Sequence, residues 1–165
     1  MALLPDEILT SSATILKTLL DKREISPVDL VSSYLARIEK LNPRVNAFIN
    51  VARNDAIRTA QSLERNISNR ESPSPLFGLP YAIKDAFFST NTATTAGSKI
   101  LQSFMATYNS TVVERLNSAG AILIGKLNMT EFGMGTGDHF HYGTPRNPWD
   151  LDRSPGFSSS GSGIA

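Results

Sequence analysis

Apolar residues recur at helical spacing near the start of the chain. Ala13, Leu16, Leu19 and Leu20 share one helical face. A second helix is predicted from Ser26-Pro27, with the serine as cap, proline at the first helical position and Asp29 completing a capping box. Val31, Tyr34, Leu35 and Ile38 form its apolar stripe. Asn42-Pro43 is expected to end it, because proline disfavours helix in the residue before it. A short strand over 45–51 and a polar helix over 54–66, with Ile57, Ala60 and Leu63 turned inward, follow. Residues 68–75 are charged and proline-bearing, and read as a linker or exposed loop.

Beyond residue 78 the period changes. Residues 79–84 predict a strand buried on both faces, and 87–95 a connection rich in Thr, Ser and Asn. Ser110 or Thr111 caps a helix carrying Val112, Val113 and Leu116, with Gly120 at its end. Residues 121–124 form a second apolar strand. Strand, helix and strand in that order predict a crossover unit, hence an α/β architecture with helices covering a sheet. Residues 128–134 read as one helical turn or two, and 135–149 as a loop. The strands are few for so many helices. The sheet looks unfinished, and bare apolar faces are expected on the Leu79 strand and the Val112 helix.

Composition narrows the function classes. With 165 residues the chain has the length of one domain with a sizeable core. Sixteen Lys and Arg against 15 Asp and Glu leave a net charge of +1, so charge gives no reason to expect direct nucleic-acid contact or a membrane surface. The absence of cysteine excludes disulfides and thiolate metal sites. No apolar run approaches the roughly 20 residues that span a bilayer. The N-terminus carries early acidic residues and no basic stretch, so a cytoplasmic location is expected.

Two places carry candidate chemistry. Lys84 stands where the 79–84 strand meets a loop. A strand-end lysine is ordinarily solvated, and a lysine acts as a base only when neutral, a form that burial or a nearby cation favours. Asp85 would point to the opposite side of the strand. The run Ser158-Ser159-Ser160-Gly161-Ser162 reads either as a flexible tail or as a tight loop presenting a hydroxyl and backbone N–H groups to a substrate. A serine both donates and accepts, so it can relay a proton between a nucleophile and an amine. His139 and His141 form a pair without an evident third metal ligand and read as loop histidines.

The segments Gly78-Leu79-Pro80-Tyr81-Ala82-Ile83-Lys84-Asp85, Thr94-Thr95-Ala96-Gly97-Ser98 and Thr111-Val112-Val113-Glu114-Arg115-Leu116 are followed in order by Gly125-Lys126-Leu127-Asn128-Met129-Thr130-Glu131-Phe132, Asn147-Pro148-Trp149-Asp150 and Pro155-Gly156-Phe157-Ser158-Ser159-Ser160-Gly161-Ser162. On these residues the sequence resembles the amidase signature family over essentially the whole chain. Within it, residues 94–101 and 128–132 look most like the A subunits of the glutamine-dependent aspartyl/glutamyl-tRNA amidotransferases.

The resemblance implies an α/β/α layered fold with a mixed central sheet, incomplete in this chain. It implies that 1–165 is the N-terminal part of a single amidase domain, with 1–70 a mainly helical lead-in and 76–165 the start of the sheet core. It also implies Ser-Ser-Lys chemistry on a small amide, glutamine foremost, with amidotransferase partner subunits and no cofactor or metal. Lys84 would be the base and Ser158 the bridging serine, preceded by a cis peptide bond. The nucleophilic serine of the family lies further along, in a Gly-Gly-Ser segment not reached by Ala165, so the chain alone is expected to be inactive. A stand-alone amidase fragment, or a truncated remnant acting only as a binding module, are the other expectations. Phe157 and Ser160 stand where the family has glycines. If either position needs positive φ, the serine loop is strained.

Overall fold

The computed structural model describes residues 5–65, 74–134 and 139–165. Most of the expected 68–75 linker and the first residues of the 135–149 loop lie outside them. Three helices open the chain: α1 (Pro5–Thr10), α2 (Ala13–Asp21) and α3 (Pro27–Val45). They are followed by β1 (Phe48–Val51), α4 (Arg53–Arg65), β2 (Pro80–Lys84), α5 (Thr111–Ser118), β3 (Ile122–Leu127) and α6 (Ser160–Ile164).

Ser26 caps α3 as its sequence predicts. Its Oγ accepts from Asp29 N–H at 3.0 Å and donates to the Asp29 carboxylate at 2.8 Å. The helix does not stop at Asn42-Pro43, however; it runs through Pro43 to Val45. The stop comes at Asn46, which is left-handed (φ 52) and donates its N–H to Asn42 O at 2.7 Å. Asparagine is one of the few residues that enter this region readily. Asn42 serves the next element as well, since its side chain donates to Phe48 O and accepts from Phe48 N–H. The strand therefore begins at Phe48, three residues later than expected.

The sheet has the order β1-β3-β2, with β3 parallel to β2 and antiparallel to β1. The parallel β2–β3 pair with α5 between its strands is the expected crossover, and the sheet is mixed. β3 is the central strand and runs to Leu127, beyond the predicted end at Ile124, because both neighbours hydrogen-bond to its C-terminal half. β2 is less buried than its apolar run suggests. It has a neighbour on one side only among the described residues, and Ile83 alone within it is buried.

Helices α3 and α4 pack Val31, Leu35, Ala56 and Ala60 against Phe48, Ile122 and Ile124. A second cluster joins Leu16, Leu20 and Leu30 to Leu79, so the Leu79 region is covered rather than bare. Val112 on α5 remains 40% exposed, as the sequence suggested, while Val113 beside it is fully buried. Ser110 stands at the start of α5, but its Oγ donates to Phe88 O at 3.3 Å rather than capping the helix. The 128–134 segment contributes one 3₁₀ turn, Glu131–Gly133.

Candidate active site

The C-terminal end of β2 and the loop entering α6 meet. Lys84 Nζ lies 2.6 Å from Ser158 Oγ, although the two are 74 residues apart in sequence. At this distance an ammonium donates to the hydroxyl oxygen, and a neutral amine accepts from the hydroxyl hydrogen. Both residues are half-buried. The peptide bond Phe157–Ser158 is cis. Ser158 O accepts Thr130 N–H at 3.3 Å, which ties the serine loop to the segment leaving β3.

The serine stretch is not an open tail. It enters α6 at Ser160, and Ser160 Oγ donates to Gly156 O at 2.7 Å, closing the turn around Ser158. The positive φ in this turn belongs to Gly156 (φ 96); Phe157 and Ser160 are not among the left-handed residues, so the condition under which they would strain the loop is not met. Gly161 is required for a different reason. A Cβ there would stand 2.3 Å from Ala47 O and 2.4 Å from Asn128 N, and its own N–H donates to Asn128 O at 2.8 Å. Backbone atoms cannot rotate aside. Gly161→Ala is expected to push α6 outward, with a loss of roughly 1–3 kcal/mol as in other overpacked sites, measurable by thermal or denaturant unfolding.

Behind Lys84 sits a pair that sequence reasoning missed. Asp85 and Lys126 are both fully buried, with Asp85 Oδ1 3.0 Å from Lys126 Nζ. That oxygen has no well-aligned hydrogen bond, but the ammonium beside it compensates its charge. Lys126 Nζ also donates to Phe87 O and Thr94 Oγ1, each at 2.8 Å. Asp85 Oδ2 accepts Thr95 N–H at 3.0 Å and the Thr95 hydroxyl. Burial lowers the Lys126 pKa from the ordinary lysine value, and the Asp85 carboxylate works against that shift. One sequence signal marks one member of the pair: Lys126 is a charged residue inside the apolar stretch of β3.

The remaining candidates lie elsewhere. His139 and His141 are exposed, and the His141 ring meets Tyr142 edge-on. No group of three or more His, Cys, Asp or Glu among the described residues is placed to hold a metal ion. A groove of about 530 Å³ between α3 and the sheet is lined by residues including Tyr34, Phe48, Tyr81 and Ile164, and by neither Lys84 nor Ser158. Burial there pushes the Tyr81 phenol up to about 12. No helix among the described residues is long and apolar enough to cross a membrane.

Known proteins share this arrangement of elements. The chain is 45% identical over 155 residues to the A subunit of the glutamyl-tRNA(Gln) amidotransferase of Geobacillus kaustophilus, a match covering 93% of this chain and 32% of the relative. It is 45% identical over 151 residues to the protein of the same name from Coxiella burnetii, covering 91% of this chain and 31% of that one. The chain thus spans about a third of the length of these relatives. Among solved structures, the native peptide amidase of Stenotrophomonas maltophilia superposes with a TM-score of 0.87 at 32% identity, over 94% of this chain and 34% of that one. A vestigial protein complex described as revealing the origins of an s-triazine catabolic enzyme superposes with a TM-score of 0.89 at 36% identity, over the same shares. The Amidase family model matches residues 29–165, from the first turns of α3 through the serine loop, and the chain belongs to that family.

Proposed function

We propose that these 165 residues hold the proton-relay part of an amide-hydrolysing site, within the single amidase domain of a longer polypeptide. The observation that carries this reading is the 2.6 Å separation of Lys84 Nζ and Ser158 Oγ. In the neutral state Lys84 takes the Ser158 hydroxyl proton, while Ser158 takes the proton of a nucleophilic serine supplied by polypeptide following Ala165. That serine bonds to the amide carbonyl carbon. The carbon–nitrogen bond breaks as the relay returns a proton to the leaving nitrogen, which departs as ammonia or an amine. Water then attacks the acyl-enzyme and regenerates the serine. The identity to the amidotransferase relatives favours glutamine as substrate and use of the ammonia on a tRNA-bound acyl group with partner subunits.

A second substrate reading has its own support. Phe157, next to Ser158 in sequence, is exposed, as are Phe132 and Met134 on either side of Gly133, where a Cβ would stand 4.0 Å from Ser158 Oγ; Phe157 stacks on Phe140 with ring centroids 6.5 Å apart. An apolar rim of this kind suits an aliphatic or aryl amide. Ammonia release from glutamine and amine release from an anilide, measured side by side, separate the two. The extended polypeptide is expected to turn over glutamine, and the 165 residues alone neither substrate. Turnover by the short chain would place a nucleophile among its own serines and overturn the assignment.

A further inference from the structure

We propose that the buried Asp85–Lys126 pair, acting through Thr95, sets the Lys84–Ser158 separation, which makes Asp85, Lys126 and Thr95 positioning residues for proton transfer. The inference rests on Lys84 being the base. Asp85 follows Lys84 directly, and its N–H donates to Leu127 O at 3.1 Å, so anchoring Asp85 anchors the end of β2. Successive strand residues point to opposite sides, so a side chain locked on the Asp85 side fixes the direction from which Lys84 departs.

The same pair holds the other partner. Thr95, gripped by the Asp85 carboxylate through N–H and hydroxyl, accepts Gly97 N–H at 3.2 Å on its own Oγ1. Ala96 donates to Asp85 O at 3.1 Å and accepts from Phe132 N–H at 2.7 Å. Gly97 lies so close to the 129–130 backbone that a Cβ would stand 2.7 Å from Met129 O. Thr130 N–H in turn carries Ser158 O. Base and serine therefore reach each other from two backbone segments, and both segments are fastened to one buried carboxylate. Lys126 holds that carboxylate and, through Phe87 O and Thr94 Oγ1, the loop that leads to Thr95.

A purely structural pair would affect folding and leave the rate per folded molecule unchanged. The test uses the full-length polypeptide containing this chain, with kcat and KM for amide hydrolysis and the melting temperature measured for each variant. Asp85→Asn/Lys126→Met removes both charges while keeping the side chains' bulk. It is expected to lower kcat about 10²-fold, the loss typical of a reacting group displaced by about 1 Å, with KM within about twofold. Thr95→Val is expected to lower kcat in the same direction and Thr95→Ser to restore it, because only the hydroxyl bridges Asp85 to Gly97. Unchanged kcat in Thr95→Val overturns the inference, whether or not the double variant folds. Lys84→Ala is the control: full activity in that variant would defeat the base reading itself, whereas loss there with unchanged kcat in Thr95→Val defeats only the positioning role.

Discussion

Replacing Lys84 with methionine in the full-length polypeptide is expected to lower kcat by about 10²–10⁴-fold, the range general-base catalysis contributes, while the melting temperature changes little. Methionine keeps the length and apolar stem but cannot accept a proton. Lys84 is half-buried at a strand end and hydrogen-bonds the neutral Ser158 side chain, so its removal leaves no buried charge unpaired. Ser158→Ala should produce a loss of the same order, and under the proposed relay the double variant should lose no more than the worse single one. Additive losses would mean independent roles and would break the relay. The measurement is steady-state ammonia release, with circular dichroism to verify folding.

Truncating Lys126 should have the opposite signature, with the damage falling on folding. Lys126→Ala leaves the Asp85 carboxylate buried beside a cavity, with Thr95 as its remaining donor. Removing one partner of a buried ion pair typically costs about 3–5 kcal/mol. For a domain of ordinary stability, about 5–15 kcal/mol, that is a large share. Denaturant unfolding of Lys126→Ala beside Asp85→Asn/Lys126→Met checks the cause. The double variant should be the more stable, because it carries no orphaned charge. Were Lys126→Ala as stable as the parent, the pair would contribute little and the loop it holds would be supported by other contacts.

The two lysines show what sequence patterns reveal. Lys84 is visible as the charged end of an apolar strand, a place where a lysine is ordinarily solvated, and the expectation that it is a base comes from the family resemblance. Lys126 sits inside β3, where alternation along the strand gives no hint of its partner. Asp85, 41 positions earlier, is brought to it by parallel pairing of β2 with β3. A similar contrast holds at the helix ends. Ser26 caps α3 through atoms three residues away, and local sequence suffices. Where α3 ends is decided by Asn42 and Asn46 engaging β1 and the loop around Tyr142, contacts up to 96 residues distant.

By itself the sequence determined the elements whose causes are local: the Ser26 cap, the apolar stripes, the β2–α5–β3 order and the residue types able to move a proton. Tertiary structure alone decided which of those groups meet. Strand pairing and the close backbone approach at Gly161 join Lys84 to Ser158 and conceal an ion pair beneath them. Capping and periodicity act over one or two helical turns, whereas burial and hydrogen-bond distance depend on segments that only folding brings side by side.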